Sequence, residues 1–449
     1  MNSKRMFLKL LTFIPIFFMA EKKSWGDSNT KKNKKNTLED YGGDTESEDN
    51  GPAFQRFFDD SFNSHLSLGL GTYKIKTPVY CKKPVSITGQ GTHSMLNARD
   101  STVFEGALTQ RMGTVILDNR NEDSDEFLLN FENNDNYPVS NVNISNLSIV
   151  GAAEQGCGKR YKTRGILLGH ISWNSYYNNI MISGFAKEAI SGLHADSFFS
   201  NIQVLRCGGK IGNEIYYAID MSEKSGNPNF NNFTGLHVEH CRYILKLAGM
   251  FNTFTSCHFE TNKGISIDQK SNYPFILLKD IRKGNKFISC DFISPYSEDF
   301  FVGDNSNEPC YYIQGDFKHE VAGSVNDSSI SFYQCDFTVG NETLSSINWL
   351  DIKKIPTIIN SCNFFRSSSI NSPIRIAGKS IINSCRIELF PERNRVSDAY
   401  HGENNNFIIH NYGDLIITSC MIINLGGSKK EIINSNSKSA ISVSSVLYG

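Results

Sequence analysis

A short phrase repeats along this sequence and keeps its apolar residues in phase. The copies at residues 236–238 and 257–259 each place an apolar residue on both sides of a histidine, His237 or His258. Because successive side chains of a strand point to opposite faces, each copy buries its apolar residues and exposes its histidine. A strand-length phrase that recurs every roughly twenty residues is typical of stacked β-coils.

The same pattern extends through ten segments that share three apolar columns. The first column reads Leu147, Ile180, Ile202, Leu236, Cys257, Cys290, Cys335, Cys362, Cys385 and Cys420. The second column, two residues later, reads Ile149, Ile182, Val204, Val238, Phe259, Phe292, Phe337, Phe364, Ile387 and Ile422. The third column, three residues before the first, reads Ile144, Tyr177, Phe199, Phe233, Phe254, Phe287, Phe332, Ile359, Ile382 and Ile417. These columns predict an all-β solenoid whose coils are buried only against their neighbours.

The balance of charges argues against a nucleic-acid-binding role. The chain has 45 Lys and Arg against 46 Asp and Glu, a formal net charge of −1, whereas nucleic-acid binders usually carry a basic patch. A repeat fold grows by adding coils, so a length of 449 residues does not require several domains. We therefore expect one β-helical domain over residues 51–449.

Residues 1–26 have the layout of an export signal. Lys4, Arg5 and Lys9 precede an apolar run over residues 10–20, which is shorter than a membrane span. Residues 3–9 are similar to the twin-arginine export motif, with Lys4 in place of the first arginine, so that route and the general secretory (Sec) route stay open. We expect a periplasmic or secreted protein with no stable membrane insertion after signal removal. An uncleaved anchor is the alternative.

The folded domain is expected to begin with a helix. Residues 27–50 are polar and charged, which predicts a flexible linker. Phenylalanines then recur at helical spacing after Pro52, which predicts a short helix over about residues 51–62 in which Asn50 can cap the first turn. Tight strands are expected at residues 71–75, 79–81 and 85–91.

The opening of this domain resembles the pectate-lyase superfamily. The likeness lies in residues 40–42, the predicted helix, residues 71–75 and residues 87–91. It implies a single-stranded right-handed parallel β-helix with a short N-terminal capping helix. The superfamily includes polygalacturonase-like hydrolases and tailspike depolymerases, so the resemblance also implies a polysaccharide as substrate or partner. The family's hydrolase signatures, such as Asn-Thr-Asp and Gly-His-Gly, do not occur in this sequence.

The cysteines are expected to serve as core residues. Six of the eleven share the first apolar column and have no zinc-site spacing. Because a free cysteine behaves as a small buried hydrophobe, the column predicts stacked free thiols. Four others lie off the column, and a disulfide among them stays open: Cys157, Cys207, Cys241 and Cys310.

The outward positions of three neighbouring coils supply the predicted catalytic residues. They are Glu239, Glu260, Asp291, His237 and His258. A pair of stacked glutamates is unfavourable unless a proton, a cation or a histidine compensates, and crowding raises the pKa of one carboxyl. A hydrolase would use Glu260 as general acid, Glu239 or Asp291 as nucleophile or base, and the histidines to orient sugar hydroxyls. The alternative is a solvated polar face.

Six further residues are candidates for binding the polysaccharide: Arg206, Arg242, Lys263, Trp173, Tyr216 and Tyr217. A lyase would use one of the basic side chains to abstract a proton, and the carboxylates could then hold calcium. No other cofactor and no defined metal site are predicted. A non-catalytic protein that binds exopolysaccharide is the third alternative. The oligomeric state stays open, with a homotrimer among the options.

Overall fold

The computed structural model describes nineteen ranges of the chain: residues 36–92, 113–132, 139–152, 161–169, 172–192, 194–222, 228–261, 273–281, 284–294, 310–316, 330–339, 347–352, 355–367, 374–376, 380–389, 407–411, 414–424, 431–435 and 441–448. Within these ranges the helical elements are a 3₁₀ helix, Glu39–Tyr41, and one α-helix, α1 (Gly51–Asp59). None of the described helices has the length and apolar character of a membrane span.

Strands make up most of the described chain. The first twenty are β1 (His65–Ser67), β2 (Gly71–Ile75), β3 (Val79–Tyr80), β4 (Ser86–Thr88), β5 (Thr114–Asp118), β6 (Phe127–Asn130), β7 (Asn143–Val150), β8 (Arg164–Leu167), β9 (Ser172–Trp173), β10 (Tyr176–Ser183), β11 (Ile190–Ser191), β12 (His194–Ala195), β13 (Phe198–Leu205), β14 (Gly209–Ile211), β15 (Glu214–Tyr216), β16 (Ile219–Met221), β17 (Asn232–Thr234), β18 (His237–Cys241), β19 (Leu245–Gly249) and β20 (Thr253–Thr255). The others are β21 (His258–Thr261), β22 (Ile276–Ile281), β23 (Asn285–Ile288), β24 (Asp291–Ser294), β25 (Cys310–Asp316), β26 (Ile330–Tyr333), β27 (Asp336–Val339), β28 (Ile347–Ile352), β29 (Thr357–Asn360), β30 (Asn363–Ser367), β31 (Ile374–Ile376), β32 (Ser380–Asn383), β33 (Arg386–Leu389), β34 (Phe407–Asn411), β35 (Leu415–Thr418), β36 (Met421–Asn424), β37 (Glu431–Ser435), β38 (Ile441–Ser444) and β39 (Leu447–Tyr448).

These strands build a parallel β-helix. A 23-stranded sheet and a 12-stranded sheet run the length of the described chain, and their strands pair in parallel, as where Ile180 of β10 lies beside Ile202 of β13. Each regular coil gives two segments to the larger sheet and one to the smaller. The predicted strands at residues 71–75, 79–81 and 85–91 correspond to β2, β3 and β4, of which β4 ends at Thr88, earlier than predicted. The predicted all-β fold is confirmed.

A left-handed bend separates the two segments that each coil gives to the larger sheet. The bend residue directly precedes the first apolar column, and its φ lies between 51° and 64° in Asn146, Asn179, Asn201, Gly235, Ser256, Ser289, Gln334, Ser361, Ser384 and Ser419. This conformation costs an ordinary residue roughly 1–2 kcal/mol, and glycine and asparagine adopt it most readily. The bend turns the next residue inward and so keeps the apolar columns aligned.

All three predicted columns lie in the core. Every member is at most 3% exposed, and the aromatic members stack coil on coil, with 4.7 Å between the ring centroids of Phe254 and Phe287. The nine cysteines with described side chains are free and buried, which confirms the thiol column and excludes a bridge from Cys207 or Cys241. Cys157 and the side chain of Cys310 lie outside the described residues.

Helix α1 packs on the first coils through Phe54 and Phe57, both fully buried. It ends at Asp59, earlier than predicted. Asn50 does not cap it through its side chain, because Asn50 Oδ1 accepts the backbone N–H of Asp44 at 2.9 Å instead of an N–H of the first helical turn.

The folded part of the chain also begins earlier than predicted. The sequence predicts a flexible linker over residues 27–50, yet Leu38 and Tyr41 are buried. The Tyr41 ring packs edge-on against Phe57. The sequence pattern missed this segment because few of its residues are apolar. The predicted export signal at residues 1–26 and residues 27–35 lie outside the described residues.

Candidate functional site

The predicted catalytic residues lie together on the outer face of the 23-stranded sheet. His237 pairs in register with His258, which in turn pairs with Asp291. The two imidazole centroids are 4.5 Å apart. The side chains of Glu239 and Glu260 are partly exposed beside them. We call these five residues the outer strip.

Glu239 and Glu260 do not stack directly, contrary to prediction. The register between β18 and β21 shifts after Val238, because the strand holds an extra residue, His240, in the left-handed conformation with φ 57°. Such a β-bulge re-aims side chains. Here His240 Nε2 lies 3.0 Å from one carboxylate oxygen of Glu239, and His237 Nε2 lies 3.0 Å from the other. Two imidazoles therefore compensate this carboxylate.

The contacts within the outer strip shift the pKa values of Glu239 and Asp291 in opposite directions. The hydrogen bonds from His237 and His240 hold the pKa of Glu239 far below its usual range, so the prediction that crowding raises a pKa is wrong for this residue. Burial, together with the charge of Asp336, raises the pKa of Asp291. The contact with Glu260, at 3.4 Å, raises the pKa of His258.

The basic residues predicted to bind the polysaccharide fare differently. Arg242 is 3% exposed and its guanidinium lies 4.9 Å from the ring centroid of Phe275, so it packs inside and cannot contact a polysaccharide. Arg206 is half-buried beside the outer strip, and its backbone N–H donates to the carbonyl of Glu239 at 3.2 Å. Lys263 lies outside the described residues.

The predicted aromatic platforms also divide. Tyr217 is buried and its hydroxyl donates to the carbonyl of Pro274 at 3.0 Å, so it is a core residue rather than a platform. Tyr216 belongs to the hairpin of β14 and β15, is only 8% exposed and lines a cleft on the 12-stranded sheet. Trp173 is 44% exposed, as a sugar-stacking residue would have to be.

A cleft of about 550 Å³ lies on the outer face of the 12-stranded sheet. Its floor comes from β8, β11, β16, β19 and β22, and the hairpin of β14 and β15 contributes to its wall. Six of its lining residues carry charge: Arg164, Glu188, Glu214, Asp220, Lys246 and Lys279. The concave shape and the convergent polar groups make it a candidate ligand site.

Ion pairs order the floor of the cleft. Arg164 Nε lies 3.0 Å from a carboxylate oxygen of Glu188. Lys246 Nζ lies 3.1 Å from Asp220, which also accepts the backbone N–H of Ser222 at 2.8 Å. Lys279 has no hydrogen bond or ion pair with another described residue. The cleft therefore contains one cation that a ligand could neutralise.

Glu188 is the carboxyl whose ionisation the cleft alters most. Burial raises its pKa, the charge of Asp220 adds to the rise, and the opposing effect of Arg164 is smaller. The neighbouring Tyr216 is held protonated, because burial and the nearby Glu214 carboxylate raise its pKa to about 12. The pKa of Glu188 therefore lies above the ordinary value of a carboxyl, in a cleft that also holds the carboxylate of Asp220.

The sequence analysis did not predict this cleft, because its lining residues do not belong to the repeated sequence motif. Ser191, Asp220 and Lys246 do occupy one outward row of the 12-stranded sheet, so a second repeat alignment on the strands of this sheet would have found them. Loops of unequal length separate these strands. Glu188 lies just outside β11 and belongs to no column.

No group of three or more His, Cys, Asp or Glu residues is arranged to hold a metal ion, as far as the described ranges extend. Arg242, one of the basic side chains that the lyase alternative could use, is buried.

Comparison with known proteins identifies the fold. No protein-family profile and no curated protein sequence matches the chain. Among solved structures it is similar to PfbA, a surface adhesin of Streptococcus pneumoniae, with a TM-score of 0.53 at 10% identity over 92% of this chain and 89% of that one. It is also similar to DFA-IIIase from Arthrobacter chlorophenolicus A6 without its lid, with a TM-score of 0.53 at 11% identity over 91% and 93% of the two chains. The shared architecture is the right-handed parallel β-helix that the pectate-lyase resemblance implies.

Proposed function

We propose that this protein hydrolyses an acidic polysaccharide in the cleft of the 12-stranded sheet, with Glu188 as proton donor. The observation that carries the proposal is the presence of two carboxyls in different environments in one cleft. Burial raises the pKa of Glu188, whereas Asp220 contacts Lys246 and accepts the N–H of Ser222. Two carboxyls held in different environments are a usual signature of acid and base roles.

The reaction follows from these two roles. Glu188 donates its proton to the glycosidic oxygen as the bond from that oxygen to the anomeric carbon breaks. Asp220 either attacks the anomeric carbon to form a glycosyl ester, which water then hydrolyses with the Glu188 carboxylate as base, or removes a proton from a water that attacks the anomeric carbon directly. The first route retains the anomeric configuration and the second inverts it. Arg164, 3.0 Å from Glu188, stabilises the carboxylate that is left once the proton is transferred.

Lys279, whose side chain makes no ion pair with any side chain that the structure describes, supports an acidic substrate. It lies on β22, two coils from Asp220 on β16, which places its Cα roughly 10–12 Å away by the spacing of strands and residues. That distance is about two units of an extended polysaccharide. A carboxylate on the second sugar from the scissile bond would neutralise Lys279.

Carboxyl-to-amide variants test this function. Glu188→Gln and Asp220→Asn keep the shape of the cleft and remove its acid and its anion. We expect each to lower the rate of reducing-end release from bacterial and plant acidic polysaccharides by at least about 100-fold, while Glu388→Gln, outside the cleft, leaves the rate unchanged. Unchanged turnover in both cleft variants, or an unsaturated product that absorbs in the ultraviolet, would refute hydrolysis at this cleft.

The outer strip is the second candidate for catalysis. Its support is the same kind of divergence, since the pKa of Asp291 is raised and that of Glu239 is lowered. Hydrolysis there would use Asp291 as donor, and Glu260 and His258 beside it would bind the sugar. Glu239→Gln and Asp291→Asn would then abolish turnover while Glu188→Gln would not, so the four variants assign the chemistry to one face.

A non-catalytic role remains the alternative to both candidates. One of the solved structures with this fold is that of a surface adhesin, so the fold alone does not distinguish cleavage from binding. A native protein that is retained by a polysaccharide but releases no product from it would be a binding protein.

We also propose export of the mature protein. The basis is the basic start and short apolar run of residues 1–26. Cell fractionation and N-terminal sequencing test it: we expect the mature chain outside the cytoplasm, beginning near residue 27. A full-length chain in the cytoplasm would contradict the proposal.

A further inference from the structure

The turn that leads from the 12-stranded sheet back to the larger sheet has a fixed form in five successive coils. In each, a residue with positive φ precedes a buried polar residue. The pairs are Asn174 and Ser175, Asp196 and Ser197, Phe230 and Asn231, Phe251 and Asn252, and Gly284 and Asn285.

The buried members form a hydrogen-bonded ladder from coil to coil. The backbone N–H of Ser197 donates to Asn231 Oδ1 at 3.3 Å. The side-chain amide of Asn231 donates to Asn252 Oδ1 at 2.9 Å, and that of Asn252 donates to Asn285 Oδ1 at 3.0 Å. This ladder fixes the turn, so the left-handed conformation is imposed on whichever residue precedes it.

Phe230 and Phe251 are unexpected at these positions. Their φ values are 56° and 57°, a conformation in which a bulky side chain is an outlier. The two rings stack with 4.7 Å between centroids and an interplanar angle of 15°. Phe230 is nevertheless 50% exposed, so its ring does not repay the strain by filling the core. Strain of this kind persists where a side chain has a function.

Gly284 gives the Phe251 ring its space. A Cβ atom at Gly284 would lie 2.3 Å from a carbon of that ring. The next coil therefore has a glycine, Gly284, at the position where the Phe251 ring lies.

Three exposed aromatic residues precede Phe230 and the partly buried Phe251 on the neighbouring coils. Tyr176 and Phe198 are register partners, 45% and 51% exposed, and Trp173 is 44% exposed. Ala195 pairs with both Trp173 and Asn229, which places the coil of Trp173, that of Phe198 and that of Phe230 in succession. We call Trp173, Tyr176, Phe198, Phe230 and Phe251 the aromatic row.

We propose that the aromatic row binds the apolar faces of sugar units along a polysaccharide, through the exposed surfaces of Trp173, Tyr176, Phe198 and Phe230 with Phe251 stacked behind Phe230, as a site separate from the cleft. The class of ligand rests on the proposed function. Four consecutive coils each contribute at least one ring. Neighbouring coils are roughly 4.8 Å apart, which is close to the length of one sugar unit. Exposed polar side chains lie within the row, namely Asn174 and Asp196, and can bond sugar hydroxyls. A membrane or a purely apolar partner would leave these groups unsatisfied.

The row also lies near the edge of the cleft. Gly192 lines the cleft, and Ala195, three residues later, pairs with Trp173. A chain bound along the row would therefore reach the cleft at the coil of Ser191, next to Glu188 and Asp220. The row would hold the polymer while the cleft acts on it.

The double variant Phe230→Asn/Phe251→Asn tests the proposal, made in the full chain carrying Glu188→Gln so that the polymer is not cut. The probes are polygalacturonate, alginate and hydroxyethylcellulose, each cast into a native gel. We expect at least one of them to retard the parent protein, and the double variant to bind that polymer about tenfold more weakly. The variant should melt at the same or a higher temperature, because asparagine adopts the left-handed conformation readily.

Phe62→Asn is the matched control, since Phe62 is 85% exposed and lies outside the row. It should bind like the parent. Trp173→Ala, which changes no left-handed residue, should also weaken retardation and gives a second test should the double variant melt early. Equal retardation of all variants, or no retardation of the parent by any probe, overturns the proposal. Turnover lost in Glu188→Gln with retardation kept would instead confirm the cleft and the row as separate sites.

Discussion

Asp291 of β24 pairs in register with Asp336 of β27, so two carboxylates stack on neighbouring coils. The charge of Asp336 adds to the burial that raises the pKa of Asp291. Asp336 is itself held by the side-chain amide of Asn363, which donates to it at 2.7 Å. The outer face of the larger sheet therefore contains an unfavourable contact between two like charges, Asp291 and Asp336.

Replacing Asp336 by Asn should relieve this contact. Because a raised folded pKa means that the ionised form of Asp291 is destabilising, the gain should be present at pH 7 and vanish below about pH 4. We expect a gain of roughly 0.2–1 kcal/mol in the free energy of unfolding, measured by urea titration at both pH values. Thr338→Ala, on the same strand, is the control. A gain of equal size at both pH values would exclude a charge effect.

Glu239 should stabilise the fold in the opposite pH range. Its folded pKa is depressed by the hydrogen bonds to His237 and His240, so its contribution is present above its unfolded pKa of about 4.5 and is lost as the pH falls below that value. Glu239→Gln should cost about 1 kcal/mol at pH 7, a value limited by solvent exposure. The difference from the native protein should shrink at pH 3. A cost that does not change with pH would show that shape, not charge, matters there.

The stacked columns should make core truncations expensive. Phe337 is fully buried and stacks on Phe292 and Phe364, with ring centroids 4.6 Å and 4.5 Å away. We expect Phe337→Ala to lower the free energy of unfolding by about 3–5 kcal/mol. Met421→Ala, at a 41% exposed position, should change it by less than about 0.5 kcal/mol. Similar effects of the two substitutions would contradict the column packing.

The thiol column should be chemically silent in the folded protein. The hydrogen bond to Cys290 and burial raise the pKa of Cys335 to about 12, so almost no thiolate is present at pH 8. The nine buried thiols of the described chain should not react with a disulfide reagent until denaturant is added. Mass spectrometry of the labelled peptides measures this. Rapid labelling of Cys335 in the native state would be inconsistent with the buried column.

Lys279 should affect binding of acidic substrates and not the chemical step. Removing its charge with Lys279→Met should raise KM for a carboxylated polysaccharide about tenfold and leave kcat within about twofold, because the contact is the same in the ground and transition states. A carboxyl-reduced form of the same polymer should show no difference between the native enzyme and the variant. A fall in kcat alone would place Lys279 in the reaction itself.

The core could be predicted from the sequence because it depends on a local rule. Alternation of buried and exposed residues, repeated at each coil, is visible without knowledge of the loops, and Leu147, Cys257 and Ile422 are buried as the pattern requires. The orientation of the outer strip follows from the same rule. The alternation rule fails at the β-bulge of His240, because one extra residue there shifts the pairing of β18 with β21.

The remaining site depends on contacts that no local rule records. Tyr216 and Arg242 are predicted to bind the polysaccharide, yet Tyr216 is buried within the hairpin of β14 and β15 and Arg242 packs on Phe275. Glu188 and Asp220 meet only because loops of unequal length return to the same sheet. Their relationship is set by the stacking of coils and is invisible in sequence spacing.

The left-handed bends have a consequence for how the chain can change in length. Each bend resets the backbone to the same starting direction, so a complete turn such as residues 362–384 begins and ends in equivalent places. Deleting or duplicating a whole turn beyond residue 330 would shorten or lengthen the molecule by one strand spacing and leave Glu188, Asp220 and the aromatic residues undisturbed. The C-terminal coils should therefore tolerate the gain or loss of a whole coil, whereas a one-residue shift inside a strand would move its apolar residues to the outer face.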